Sequence, residues 1–198
     1  DGAVIIPYHL TDDDLQSLKA RMGIEISAVG NHIQHPEVDV VFADDSKASY
    51  EAVSWLIERR GHKRIAMICA DHRFPVIKRR YGAFQRAMAD AGLPIPAEYV
   101  VDSDWSVESG RRAISSLLAL PNPPTAVFAA SDTIAIGALD AAEKMNYRVP
   151  EDIAIIGFDD IPAASWVRPQ LSTVAQYPGE MGTLLAKALF ERIRGEYS

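Results

Sequence analysis

The chain has 198 residues, enough to bury a sizeable core as one large domain or two smaller lobes. Its 48% hydrophobic and 24% charged residues are the balance of a soluble globular protein, and no apolar run approaches the ~20 residues of a membrane span. With 20 basic against 27 acidic residues the net charge is −7, the wrong sign for a surface that neutralises phosphates.

In chain order, strand-like runs are expected at 3–6, 24–29, 38–42, 65–69, 99–101, 126–129 and 153–157. Most are continuous Val, Ile and Ala, the pattern of parallel strands covered on both faces. Between them the spacing predicts helices near 11–22, 46–60, 76–91, 106–119, 131–146 and 178–193. In the fourth, Gly110, Ala113, Ile114, Leu117 and Leu118 share one face before Pro121 stops it; in the last, Met181, Leu184, Leu185, Ala188 and Leu189 repeat the pattern. Gly61 and Gly92 stand where a glycine ends a helix. Alternation with short loops implies right-handed βαβ units and doubly wound parallel sheets, an α/β fold. Candidate crossings between lobes lie after 38–42 and at 171–176.

In open α/β sheets ligands bind beyond the carboxyl ends of the strands. Asn31, Asp44 and Asp45, Asp71 and His72, Asp102, Asp104 and Trp105, Ser131 and Asp132, and Asp159 and Asp160 follow successive strands. Each has a plainer reading as a helix cap, and Ser131 suits capping well. Together, carboxylates and amides near one indole match a polyhydroxylated ligand, whose hydroxyls donate to carboxylates and whose CH face packs on Trp105. Arg79, entering the third helix, offers a fixed fork of donors.

Dinucleotide, phosphate-loop, nucleophile-elbow and zinc-protease signatures are all missing, so no enzyme and no cofactor are expected. His32 and His35 lack further ligands at metal-site spacing, and no metal is expected. The single cysteine, Cys69, excludes an internal disulfide framework. With no export leader in view, it fits a reducing cytoplasm.

Several motifs fall in one order: Gly61-His-Lys-Arg-Ile-Ala66, Arg79 with Gly82 and Phe84, Pro124-Thr-Ala-Val-Phe128, and Ser131-Asp132 with Ala135 and Gly137. They continue through Val149-Pro-Glu-Asp-Ile-Ala-Ile-Ile-Gly-Phe-Asp-Asp160, Pro169 with Leu171-Ser-Thr-Val174, and Glu180-Met-Gly182. From Asp1 to about Gly195 this series resembles the effector-binding core of the LacI/GalR family of bacterial transcription regulators.

The resemblance implies a periplasmic-binding-protein-like architecture with an effector in the cleft between two lobes. Residues 1–42 and 175–198 would form part of the N-terminal lobe, with its opening elements and final strand missing, and 43–174 the complete C-terminal lobe. Carried over by motif, Arg79, Trp105, Asp159, Gln176 and Asn31 become effector contacts. Ser131 stands where many members place an Asn, and Asp132 and Asp160 brace loops. The implied partners are a sugar, sugar acid or nucleobase-like effector, a second copy of the chain, and operator DNA bound through a helix-turn-helix domain absent here; no membrane is implied. The function implied is the sensing part of a cytoplasmic regulator, a repressor, under allosteric control. A periplasmic sugar-binding protein of a transporter, which shares the fold, is the alternative.

Overall fold

The computed structural model describes residues 1–7, 10–30 and 32–196. The chain divides into two compact units, Asp1–Ala43 with Tyr177–Ser198, and Asp44–Gln176. No described helix is long and apolar enough to cross a membrane.

The smaller unit holds a parallel sheet in the order β1 (Gly2–Ile5), β2 (Glu25–Val29), β3 (Asp39–Val41). Helix α1 (Asp12–Met22) starts at a capping box: Asp14 N–H donates to the Thr11 hydroxyl, and Thr11 N–H returns to the Asp14 carboxylate. It ends at Gly23, whose φ of 61° is cheap only without a Cβ. Helix α7 (Pro178–Arg194) packs on all three strands, placing Leu185 and Leu189 beside a small core of Leu15, Ile26, Ala28, Ile33 and Val38. Arg192 grips Asp39 with two bonds of 2.6 and 2.8 Å, locking α7 to β3.

The larger unit is a five-stranded parallel sheet in the order β5-β4-β6-β7-β8. Its strands are β4 (Ile65–Ile68), β5 (Val100–Val101), β6 (Ala126–Ala129), β7 (Ala154–Asp159) and β8 (Ser172–Ala175). Every residue of β4 and β6 is buried, which explains their unbroken apolar sequence. Helices α2 (Asp45–Glu58) and α3 (Pro75–Asp90) pair with each other, as do α4 (Val107–Leu118) and α5 (Asp132–Lys144). Right-handed crossovers from β4 outward to β5, and back through β6 to β7, put α3 on one face and α4 with α5 on the other. Phe84, Phe128 and Phe158 fill the core.

Several boundaries differ from the sequence reading. β7 runs on to Asp159, because its backbone pairs with β8 as far as Ala175. Tyr99 belongs to a 3-10 turn at Ala97–Tyr99, tied down by its hydroxyl on the Asn122 carbonyl at 2.6 Å. Between the expected strand at 153–157 and the candidate crossing at 171–176 stands a short helix, α6 (Pro162–Trp166), opened by Pro162 at its first turn. Gln176, grouped above with the smaller unit, belongs to the larger one.

The glycines of the fourth and fifth helices are packing devices. A Cβ on Gly110 would collide with the backbone oxygen of Ile134, and one on Gly137 with that of Val107. Helices α4 and α5 therefore meet backbone to backbone. Gly137→Ala should cost the larger unit about 2 kcal/mol or more, since neither helix can retreat without opening the core. Gly82→Ala, with open space around its Cβ, should leave stability unchanged or raise it by about 0.5 kcal/mol. Urea unfolding of both variants checks the pair.

Candidate functional site

Strand order in the larger sheet reverses between β4 and β6, the place where the next strands diverge to opposite sides. Arg80 reaches this point from α3. Its residue is only 2% exposed, and it lies on the stripe of Ile77, Ala83, Phe84, Ala87 and Met88 that α3 turns to the core. Its guanidinium donates to the carbonyl of Ala130 just beyond β6, and to Asp45 Oδ1 from Nη2 at 3.0 Å and from Nε at 3.3 Å. Its Cζ sits 3.6 Å from the centre of the Phe158 ring, a cation–π contact in a water-poor setting. A looser bond of 3.4 Å joins Nη1 to Asp159 Oδ1.

Asp159 ends β7. The side-chain amide of Gln176, at the end of the β8 segment, donates to the same Oδ1, while no described hydrogen bond engages Oδ2. Burial pushes the Asp159 carboxyl above its ordinary value, with the Arg80 charge and the Gln176 amide opposing that rise. Its φ of 120° lies in territory L residues rarely occupy. Of the four non-glycine residues of this unit with positive φ, three (Trp105, Asp159 and Asp160) follow or end β5 and β7 at the carboxyl edge. Strain concentrated there marks this edge as a candidate site.

The other expected residues divide. Trp105 follows β5, half-buried, with its ring edge-on to Phe74 at 5.8 Å between centroids. Arg79 joins this network only through Asp45, pairing with its Oδ2 at 2.9 Å, while Arg80, one residue on and about 100° around the helix, meets Asp159 directly. Ser131 is buried and its hydroxyl accepts the N–H of Ile134, capping α5 at 3.4 Å. Asp132 is fully buried. It accepts the N–H of Ile161 at 2.9 Å and the Thr173 hydroxyl, and so ties the loop after β7 to β8. Burial raises its carboxyl, with the Thr173 hydroxyl opposing. Gly157 makes room for it, since a Cβ there would collide with Asp132 Oδ1. At Asp160 the backbone N–H, rather than the carboxylate, meets Thr173, at 3.4 Å. Asn31 lies outside the described residues. In the smaller unit His32 contacts the Pro7 carbonyl at 2.8 Å and His35 the Gln16 side chain. Among the described residues no cluster of three or more His, Cys, Asp or Glu is placed to hold a metal.

Sequence reasoning passed over Arg80 as a site residue, and named Asp45 only as one of the polar residues that follow a strand. Arg80 was readable: Ile77, Arg80, Phe84 and Ala87 follow helical spacing, which puts an arginine on an apolar face. Asp45, 5% exposed at the first turn of α2, carried no such signal, because its partners lie 34 and 35 residues away.

Two outcomes follow from this geometry. Arg80→Met should destabilise the larger unit by about 3 kcal/mol, the cost of leaving a buried carboxylate short of its partner, and Arg79→Met by about 1 kcal/mol. Denaturant titration separates them, and equal losses would remove the distinction between the two arginines. Asp104 is held down to about 2, first by the Ser106 hydroxyl and then by that of Ser109. A depressed carboxyl contributes stability that is present above its ordinary 3.8 and is lost as pH falls through about 2. Asp104→Asn should therefore flatten the acid limb of unfolding between those values, as read by circular dichroism.

Residues 53–198 match the family model described as periplasmic binding protein-like domain. The chain is 37% identical, over its whole length, to the HTH-type transcriptional repressor CytR of Escherichia coli K12, covering 57% of that protein. It thus spans little more than half the length of that curated relative. A solved regulatory protein of the LacI family from Chloroflexus aggregans is 32% identical with a TM-score of 0.86, over 98% of this chain and 69% of that one. The transcriptional regulator CelR in complex with cellobiose is 31% identical at a TM-score of 0.86, over 100% of this chain and 61% of that one.

Proposed function

This chain belongs to the LacI family, in its periplasmic-binding-protein-like domain, and on that premise we propose that it is the ligand-sensing part of a transcription regulator. It takes a small polyhydroxylated molecule at the carboxyl edge of the larger unit's sheet. The observation that carries this reading is Asp159, a partly buried carboxylate in a strained backbone, held on one oxygen by Arg80 and Gln176 with no described hydrogen bond on the other. An acceptor of that kind, beside a guanidinium and within an edge that also holds Trp105, suits a ligand rich in hydroxyls. CelR, solved with cellobiose, supports the ligand class.

No bond is made or broken in this function, in keeping with relatives that are transcriptional repressors rather than enzymes. Operator contact falls to residues outside this chain, since a net charge of −7 opposes phosphate binding. The regulator acts as a homodimer in the cytoplasm, and ligand binding changes its operator affinity by reciprocal coupling between the two sites.

The test is a thermal-shift screen of cellobiose, pentoses, sugar acids and nucleosides, followed by operator footprinting of the full-length protein with any compound that binds. At about 100 times its Kd a ligand adds about 2.7 kcal/mol to the stability of the folded state. Asp159→Asn should weaken that compound about tenfold or more, the loss of a charge-assisted hydrogen bond. A screen with no shift in any class, or a full shift retained by the variant, overturns the reading.

A further inference from the structure

The chain passes from one unit to the other between Ala43 and Asp44, and returns between Gln176 and Tyr177. Asp45 is the second residue past the first junction, and Gln176 the last before the second. Both end in the same polar network. Asp45 Oδ1 receives Arg80 and its Oδ2 receives Arg79, so one carboxylate holds two adjacent guanidinium groups, one on each oxygen. Arg80 reaches on to Asp159 Oδ1, the oxygen that also takes the Gln176 amide.

We infer that Asp45 is the positioning residue of the site, and that through Arg80 and Asp159 it couples the two junctions. The inference rests on the ligand reading above for its purpose and on the geometry for its mechanism. Two carboxylates compete for one guanidinium. Asp45 holds Arg80 at 3.0 Å, which leaves Asp159 a loose contact of 3.4 Å and keeps it available to a ligand. Without the Asp45 charge, Arg80 is drawn onto Asp159 and competes there with the Gln176 amide for Oδ1, loosening the second junction. Without the Gln176 amide, Asp159 turns wholly to Arg80 and pulls it from Asp45, loosening the first. A ligand that engages Asp159 enters the same competition, so occupancy of the edge reaches both junctions with no further relay. Tyr177, the first residue past the second junction, has a φ of 52°, and its carbonyl accepts the N–H groups of Glu180 and Met181 at the start of α7.

The experiment is amide hydrogen exchange of the full-length protein without ligand, so its result does not depend on whether the screen above finds a binder. In Asp45→Asn, exchange should rise about tenfold at 174–178 as well as at 42–47, the equivalent of one lost charge-assisted hydrogen bond. Gln176→Ala should raise exchange at 42–47 by a similar factor, and the double variant should show less than the product of the two. Asp45→Glu, which restores the charge, should return 174–178 toward wild type. Exchange that rises only beside each substitution overturns the inference. Should Asp45→Asn fail to fold, Gln176→Ala decides alone through the 42–47 segment.

Discussion

A guanidinium cannot shed its proton at any pH a protein survives, so a buried arginine requires acceptors and arranges its surroundings to supply them. Arg80 is the case on which the larger unit turns. Its acceptors come from the first turn of α2, from the carbonyl that ends β6 and from the last residue of β7, and its flat face rests on Phe158. One side chain from α3 thus pins elements from three other places in the sequence to the point where the sheet reverses order. A buried ion pair adds little net stability, because desolvation consumes most of the attraction. What it fixes is register: α3 cannot slide or rotate without stranding a charge.

Around that anchor, the remaining polar groups hold the edge still. Asp132 is the buried counterpart on the far side of β7. It spans from the start of α5 to Ile161 and Thr173, and it fits because Gly157 has no side chain. The short segment from Ser131 to Gly137 does three things at once: Ser131 caps the helix, Asp132 braces the neighbouring loop and Gly137 lets α4 approach. A rigid scaffold beneath an edge of strained residues leaves little ordering for any bound molecule to impose.

Much of the fold was legible because its signals are local. Unbroken Val, Ile and Ala runs mark strands covered on both faces, and β4 and β6 are wholly buried. Asp44, Ser106 and Ser131 each cap a helix as short side chains before apolar spacing do. The carboxyl-edge rule found Asp159 and Trp105 from the same local pattern. Arg80 was legible too, from helical spacing, although the motif reading settled on its neighbour Arg79. The two are neighbours in sequence, yet one side chain is half-buried beside α2 and the other is buried against Phe158.

The sequence by itself therefore determined most of the elements, their parallel arrangement, the helix caps and the general position of the polar edge, through signals carried by residues close in sequence. Only the tertiary structure decided that Asp45 belongs to Arg79 and Arg80, that Gln176 shares an oxygen with Arg80, and that Asp132 fills the space Gly157 leaves open. Those pairings depend on which helices and strands lie side by side. A carboxylate reads the same in sequence whether it caps its own helix or answers a charge 35 residues away.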